Sequence, residues 1–471
     1  MAQVSTPSLF GRTVAQLRDV WRDLSLRAWP GGGGNGFRPQ LPDDDAARLR
    51  RRIAECVASR GGEVSARARA AEIGRAYVSL APEGRRRFLS ILARDFAPDR
   101  AAVDAAIAEY RKAGDATALT AAEEELREAL TAPRVRLLKQ LTTLPDGFKF
   151  LVELRAELLT FLKDDPELRG LDRDLQDLFT ALFDVGLLTL DRISWDSPAA
   201  LLEKLIAYEA VHEIRSWSDL KNRLDSDRRC FAFFHPRMAG EPLIFVEVAL
   251  VNGLAGEVQG LLDENAPRVE PAEADTAIFY SISNTQKGLR GISFGDFLIK
   301  KVVESLLRDL PNLKNFATLS PIPGFRRWLD AALAAAPAND EAAPRRRPAG
   351  NGDMSPAKLR EALARPDWPG DTERAVALAE PMRRWCARYL CLEKSDGKAA
   401  LDPVARFHLA NGARLERLNW LADRSPKGMK DSYGMMVNYL YRLADIEANH
   451  DAYVGGGQVV TAPAIKALLK P

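Results

Sequence analysis

Apolar side chains recur through residues 43–190 with the period of an α-helix. In LVELRAELLTFL, Leu151, Leu154, Leu158 and Phe161 fall at i, i+3, i+7 and i+10, one face of a helix. The interruptions, LAPEGR, TAPR, LPDG and KDDPELRG, are short and rich in turn residues. Loops of this length between amphipathic helices favour antiparallel packing in a bundle. Near residue 190 the pattern changes. CFAFF (230–234), PLIFVEVALV (242–251), TAIFYSIS (276–283) and NFATLS (315–320) are short apolar runs with aromatic and β-branched residues. Such runs suit strands covered on both faces. FGDFLIKKVVESLLRDL, between the last two, is an amphipathic helix. Strand, helix and strand then make a βαβ unit, with a right-handed crossover if the strands are parallel.

Two domains follow from this change of texture: an all-helical one over 1–187 and an α/β or α+β one over 188–471. The helical part concentrates no reactive side chains and reads as a surface for a partner or for oligomerisation. Residues 334–356, AAAPANDEAAPRRRPAGNGDMSP, read as a mobile surface insertion. Helices resume at PAKLREALARP and ERAVALAEPMRRWCARYL, and no internal repeat is visible.

Composition narrows the function classes. A hydrophobic content of 46% with 28% charged residues describes an ordinary globular protein of two or three domains. A formal net charge of +2 gives no argument for nucleic acid. Four cysteines in 471 residues argue against a disulfide framework, and Cys386 and Cys391 lack the CxxC spacing of a metal site. No apolar run approaches the ~20 residues that span a bilayer. The first thirty residues read as part of the fold or a frayed arm, the alternative being a transit peptide, and residues 1–40 as partly flexible. The expected location is the cytoplasm, and the Ala- and Arg-rich composition points to a bacterial source.

Three constellations could carry chemistry. In NTQKGLRGISFGDFLIKK, Gly288, Gly291 and Gly295 separate a strand from a helix. Ser293 and Asp296 form a capping-box pattern, and unpaired N–H groups at such a helix start can hold a phosphate. It is neither a Walker sequence nor GxGxxG, and a tight turn explains it equally well. Ser320 closes the run NFATLS and is followed by Pro321 and Pro323, which bar an ordinary continuation of strand or helix. Strand ends of this kind are where α/β folds place ligands, but a serine bonding its own turn is the plainer reading. The GxSxG context of a hydrolase is absent. Of four histidines, His408 lies in FHLANGARLERLNW, within an aromatic, glycine-punctuated tail. His235 is a second candidate for proton transfer, whereas His212 reads as a helix end or surface residue and His450 as a loop.

AIFYSISNTQKGLRGISFGDFLIKKVV, NFATLSPIPGFRRWL, FHLANGARLERLNWLADRSPKGMKDSYGMMVNYLY and WDSPAALLEKLIAYEAVHEIRSWSDLKNRL together resemble the malonyl-CoA decarboxylase family. The match runs from the middle of the helical region to about residue 455. The resemblance implies an N-terminal helical bundle and a catalytic domain of GNAT acetyltransferase-like mixed α/β fold, α+β overall. It implies conversion of malonyl-CoA to acetyl-CoA and CO₂ without metal or organic cofactor, in a homo-oligomer (dimer or tetramer) associating through its helical domains. Ser320 and His408 become the catalytic pair. Arg290, Gly291, Ile292, Ser293, Phe294, Gly295 and Asp296 become the substrate loop, and Tyr441 and Ser281 supporting residues. After Gln286 the glycines fall at 288 and 291, a departure from the acetyltransferase consensus that weighs against acetyl transfer rather than CoA binding.

The chemistry fits these residue types. Loss of CO₂ from a malonyl thioester leaves an enolate, which needs donors at the thioester oxygen and then a proton, and a histidine titrating near working pH suits the second task. Three other uses remain open: hydrolysis of an acyl-CoA by a Ser–His pair, acetyl transfer, and a CoA-binding scaffold without catalysis.

Overall fold

A computed structural model of the chain describes residues 36–58, 63–292, 298–336, 354–395 and 397–470. Ser293, Phe294, Gly295 and Asp296 lie outside the described residues, as do positions 1–35 and 337–353 of the expected insertion. The protein is α+β, with an N-terminal helical region and a C-terminal mixed-sheet region. Two compact units are present. The first holds Met1–Leu187 together with His235–Ala239 and Gln286–Phe294. The second holds Leu188–Phe234, Gly240–Thr285 and Gly295–Pro471.

Helices of the first unit run over Asp43–Val57, Glu63–Ser79, Pro82–Asp95, Arg100–Lys112, Ala116–Leu130, Arg134–Thr142, Gly147–Phe161 and Arg169–Leu182. Asp99 and Asp115 cap two of them by accepting from N–H groups of their first turns. In Gly147–Phe161 the expected stripe of Leu151, Leu154 and Leu158 is buried, and so are Lys149 and Arg155. Buried charges need partners. Arg155 donates to Asp172 Oδ1 at 2.7 Å and to the carbonyls of Gly288 and Arg290 at 2.6 and 2.9 Å. Lys149 Nζ donates to Gln286 Oε1 at 2.9 Å. The glycine loop is thus fastened to a helix of its own unit.

In the second unit the strands are β1 (Thr189–Ile193), β2 (Arg228–Phe234), β3 (Pro242–Val251), β4 (Thr276–Asn284), β5 (Asn315–Thr318), β6 (Ser320–Pro321), β7 (Lys394–Ser395), β8 (Ala399–Ala400), β9 (Arg414–Asn419) and β10 (Met436–Tyr441). β7 and β8 form a small hairpin. The others form one sheet in the order β1-β2-β3-β4-β5-β10, with β6 and β9 also paired to β10. β4 and β5 pair parallel, as the βαβ pattern anticipates, with the helix Leu298–Asp309 between them in sequence. The other pairings in the sheet are antiparallel. Ala317, Leu319, Ile278 and Met436 pack into a core cluster on one face. Side-chain alternation turns Thr318 and Ser320 to the other face.

Two irregularities shape the site. β3 pairs Glu247 with Ser281 and Val248 with Phe279, which leaves Tyr280 as an extra residue in β4. Such a bulge puts Ser281 on the Glu247 face, opposite to that of Phe279. The β5/β6 ladder on β10 is also interrupted, between Ala317↔Leu440 and Ser320↔Val437. There Tyr439 N–H donates to Thr318 Oγ1 at 3.2 Å, and Asn438 Nδ2 donates to the Thr318 carbonyl at 2.7 Å. The pairing resumes in the same register at Ser320, and Pro321 still opposes Met436, so the strand is interrupted rather than stopped at the serine. Proline is tolerated because only its own N–H is lost from the ladder.

Candidate active site

The interrupted strand holds Ser320 at 5% exposure, and the helix Pro403–Ala410 holds His408 at 2%. Asn411 and Gly412 end that helix. Gly412 has φ +77°, and a side chain there would strike the Ile446 carbonyl, so the glycine of ANG is fixed by backbone geometry. Ser320 Oγ and His408 Nε2 lie 3.0 Å apart. His408 Nδ1 lies 2.8 Å from the Tyr441 hydroxyl. Tyr439, two residues before Tyr441 on β10, stacks its ring on the imidazole at 4.6 Å between centroids.

One tautomer fits the direction of the Ser320–Thr318 bond. Ser320 donates its hydroxyl to Thr318 Oγ1 at 2.9 Å, so its oxygen accepts from the histidine. A neutral imidazole carries one N–H. The tautomer that fits this direction has Nε2–H donating to Ser320 Oγ and Nδ1 accepting from Tyr441. Burial keeps His408 neutral, pushing it down to about 3, and pushes the Tyr441 phenol well up. The expectation of a histidine titrating near working pH is thus corrected: no charge faces this ring to offset its desolvation.

The remaining sequence candidates lie elsewhere. Ser281 Oγ donates to the Glu209 carboxylate at 2.8 and 2.9 Å, on the face its bulge selects. Gly288, expected to admit a ligand, instead lets the loop close on the helix Gly147–Phe161: a Cβ there would lie 1.8 Å from the Val152 carbonyl. Gly291 has φ +81°, and Arg290 and Gly291 are exposed while Ile292 is buried. His235 stacks between Phe148 and Phe183. His212 is buried rather than at the surface, and desolvation lowers it to about 4. His450 is on a helix, not a loop, with Nδ1 2.6 Å from the Ala410 carbonyl. Among the described residues no group of three His, Cys, Asp or Glu could hold a metal, and no helix is long and apolar enough to cross a membrane.

Comparison with known proteins agrees with this arrangement of motifs. The family signature described as Malonyl-CoA decarboxylase C-terminal domain matches residues 186–471, and the corresponding N-terminal domain signature matches residues 96–183. The protein named malonyl-CoA decarboxylase, mitochondrial, of Anser anser anser is 40% identical over 82% of this chain and 80% of its own length. The chain belongs to the malonyl-CoA decarboxylase family. A crystal structure of malonyl-CoA decarboxylase from Rhodopseudomonas palustris is 44% identical with a TM-score of 0.81, covering 90% of this chain and 99% of that one. The one from Agrobacterium vitis gives 44% and 0.80, covering 90% and 100%.

Motif reading of this malonyl-CoA decarboxylase family member singles out Ser320, His408 and Tyr441 but passes over the groups that hold them. Thr318 and Tyr439 each lie two residues before a chosen residue, on the same strand face, so period-2 alternation was the available signal. Asp402, which caps the helix of His408, was signalled by the Asp-Pro pair that often opens a helix. Asn438 carried no signal, because its task arises only from the interrupted ladder.

Proposed function

We propose that the protein is a carboxy-lyase that converts malonyl-CoA to acetyl-CoA and CO₂ with Ser320 and His408. The observation that carries this reading is the buried chain Tyr441–His408–Ser320–Thr318 on a scaffold of the malonyl-CoA decarboxylase family. The C–C bond to the carboxylate breaks, CO₂ leaves, and its electron pair becomes the enolate of the thioester. His408 gives the Nε2 proton to the enolate carbon while Nδ1 takes that of Tyr441, and solvent restores the balance of one proton per turnover. Ser320 positions the malonyl group against the Nε2–H. Residues 290–296, which follow β4 in sequence, bind the CoA portion.

Thioester hydrolysis is less well supported. It calls for an anion at Nδ1 to hold the imidazolium, whereas here a phenol sits at Nδ1 and no charged group offsets the burial of the ring. The test is purified protein with malonyl-CoA and EDTA in D₂O. Acetyl-CoA carrying deuterium in its methyl group supports decarboxylation without metal; free malonate, or no turnover, refutes it. Tyr441→Phe leaves Nδ1 buried without its donor, a cost of about 1–3 kcal/mol. We expect kcat to fall about five- to hundredfold with the fold intact by circular dichroism.

For the second unit we propose the GNAT-like fold, supported by the parallel β4–β5 pair within an otherwise antiparallel sheet. We propose a homo-oligomer associating through the helical domain. The hairpin Arg100–Lys112 and Ala116–Leu130 buries only Ala106 and Ala122, and it exposes Tyr110, Leu119 and Leu130. Light scattering that gives a monomer mass would refute this. Likeness to bacterial structures at 44% identity supports a bacterial source.

A further inference from the structure

Two irregularities of β10 meet at Asn438. Leu440↔Ala317 and Val437↔Ser320 share one register, in which Asn438 opposes Leu319 and Tyr439 opposes Thr318, but the ladder skips both positions. On the other side, Asn438 opposes Arg417 and Tyr439 opposes Leu415, so Glu416 is an extra residue of β9.

Asn438 is at 0% exposure. Alternation along β10 puts its side chain on the face of Met436 and Leu440, in the apolar cluster, and opposite to that of Tyr439 and Tyr441. An amide among aliphatic side chains costs stability unless its polar atoms are paired. Here all four bonds are made. Oδ1 accepts from Arg417 Nε at 3.0 Å and Asn419 Nδ2 at 2.8 Å, and Nδ2 donates to the carbonyls of Thr318 at 2.7 Å and Ala255 at 3.1 Å. Arginine cannot accept and a carbonyl cannot donate, so the amide has one orientation. Arg417 is itself anchored, donating from Nη2 to the carbonyls of Leu254 and Ala255 at 2.8 and 2.9 Å.

We propose that Asn438 is a positioning residue for the decarboxylation: from the back of the sheet its amide holds the Thr318 carbonyl where the ladder is interrupted, and so fixes the threonine hydroxyl to which Ser320 is bonded. The proposal rests on the reading of Ser320 and His408 as the working pair. Thr318 Oγ1 accepts from the Ser320 hydroxyl at 2.9 Å and from Tyr439 N–H at 3.2 Å. A turn of the Thr318 peptide would disturb both bonds, and through Tyr439 the ring stacked on His408. A misplacement of about 1 Å in such a site can cost about 10²-fold in rate. An aliphatic side chain at 438 would fill the cluster as well as the amide does, but it could not hold that carbonyl.

The experiment measures kcat and KM for malonyl-CoA in the wild type, Asn438→Asp, Thr318→Val, the double variant and Ser320→Ala. Asn438→Asp keeps the shape and the acceptor for Arg417 but turns a carboxylate oxygen onto two carbonyls. Thr318→Val replaces the hydroxyl with a methyl group. Each single variant should lower kcat about ten- to hundredfold, with KM within about threefold of wild type. If Asn438 acts through Thr318, the second substitution finds nothing left to displace, and kcat of the double variant should lie within about threefold of the slower single one. A merely structural role would multiply the two losses. Wild-type kcat in either single variant, losses that multiply, or a loss confined to KM overturns the proposal. Should Asn438→Asp fail to fold, Asn438→Leu, which suits the apolar cluster and lacks the amide, takes its place in the same cycle. Full activity in Ser320→Ala overturns the underlying reading and the proposal with it, whereas loss there beside wild-type behaviour of Asn438→Asp overturns the proposal alone.

Discussion

Ser320→Ala and His408→Asn are each expected to lower kcat for malonyl-CoA decarboxylation by about 10²–10⁴, the range for a lost positioned donor or general acid. His408→Asn removes the Nε2–H, and the amide cannot span the distance between Ser320 and Tyr441, 3.0 Å from one ring nitrogen and 2.8 Å from the other. Ser320→Ala leaves Nε2 without its hydroxyl partner and, on the proposed reading, the malonyl group without its anchor. Neither residue shapes the core cluster on the opposite face, so unfolding midpoints should change far less than rates. Steady-state kinetics with acetyl-CoA detection checks both; undiminished turnover in both variants would mean that the chemistry lies elsewhere.

The largest effect on stability is expected at Arg223, in the sheet unit. Its guanidinium donates to Asp219 Oδ1 at 2.7 Å, Glu247 Oε2 at 3.0 Å and the carbonyl of His212 at 2.9 Å. Glu247 is at 1% exposure, on the same strand face as Ser281. Arg223→Met strands that carboxylate in a dry interior, a loss of about 3–5 kcal/mol, measurable by urea unfolding. Glu247 is already pushed up to about 8 by burial. Its folded value therefore exceeds the unfolded one, so the variant should regain stability as pH is lowered from 8 toward 5. Adding Glu247→Leu should recover most of the loss at pH 8.

Local pattern carried much of the architecture. Helical periodicity over 43–190, the apolar runs of β2, β3 and β4, and the helix before β5 are all statements about neighbours in sequence, and they hold in space. β9 and β10 had no such expectation. GMMVNYLY is apolar on both faces but short and glycine-led, and its strand character comes from pairing on both sides, which no local signal contains. For the site, motif resemblance named Ser320, His408 and Tyr441, and they lie within hydrogen-bonding reach of one another in sequence order Ser–His–Tyr. Composition could not foresee that His408 is neutral, because burial is a property of the assembled sheet. Ser281 shows the reverse limit. Alternation from Phe279 would turn it toward Thr318, and a single bulged residue, Tyr280, reverses that.

The fastening of the glycine loop by Arg155 bears on how the protein is made. The chain passes between the two units at 187/188, 234/235, 239/240, 285/286 and 294/295. Arg155 leaves the ribosome 133 residues before Gly288, whose carbonyl it needs. At about 5–20 residues per second that is a wait of roughly 7–27 s with a guanidinium that the finished unit buries. Asp172 can engage Arg155 early, but the remaining acceptors of Arg155, the carbonyls of Gly288 and Arg290, arrive only later. Glycine-loop geometry and completion of the N-terminal unit become one event, late in synthesis, and a nascent chain arrested before residue 288 should leave that unit open to protease.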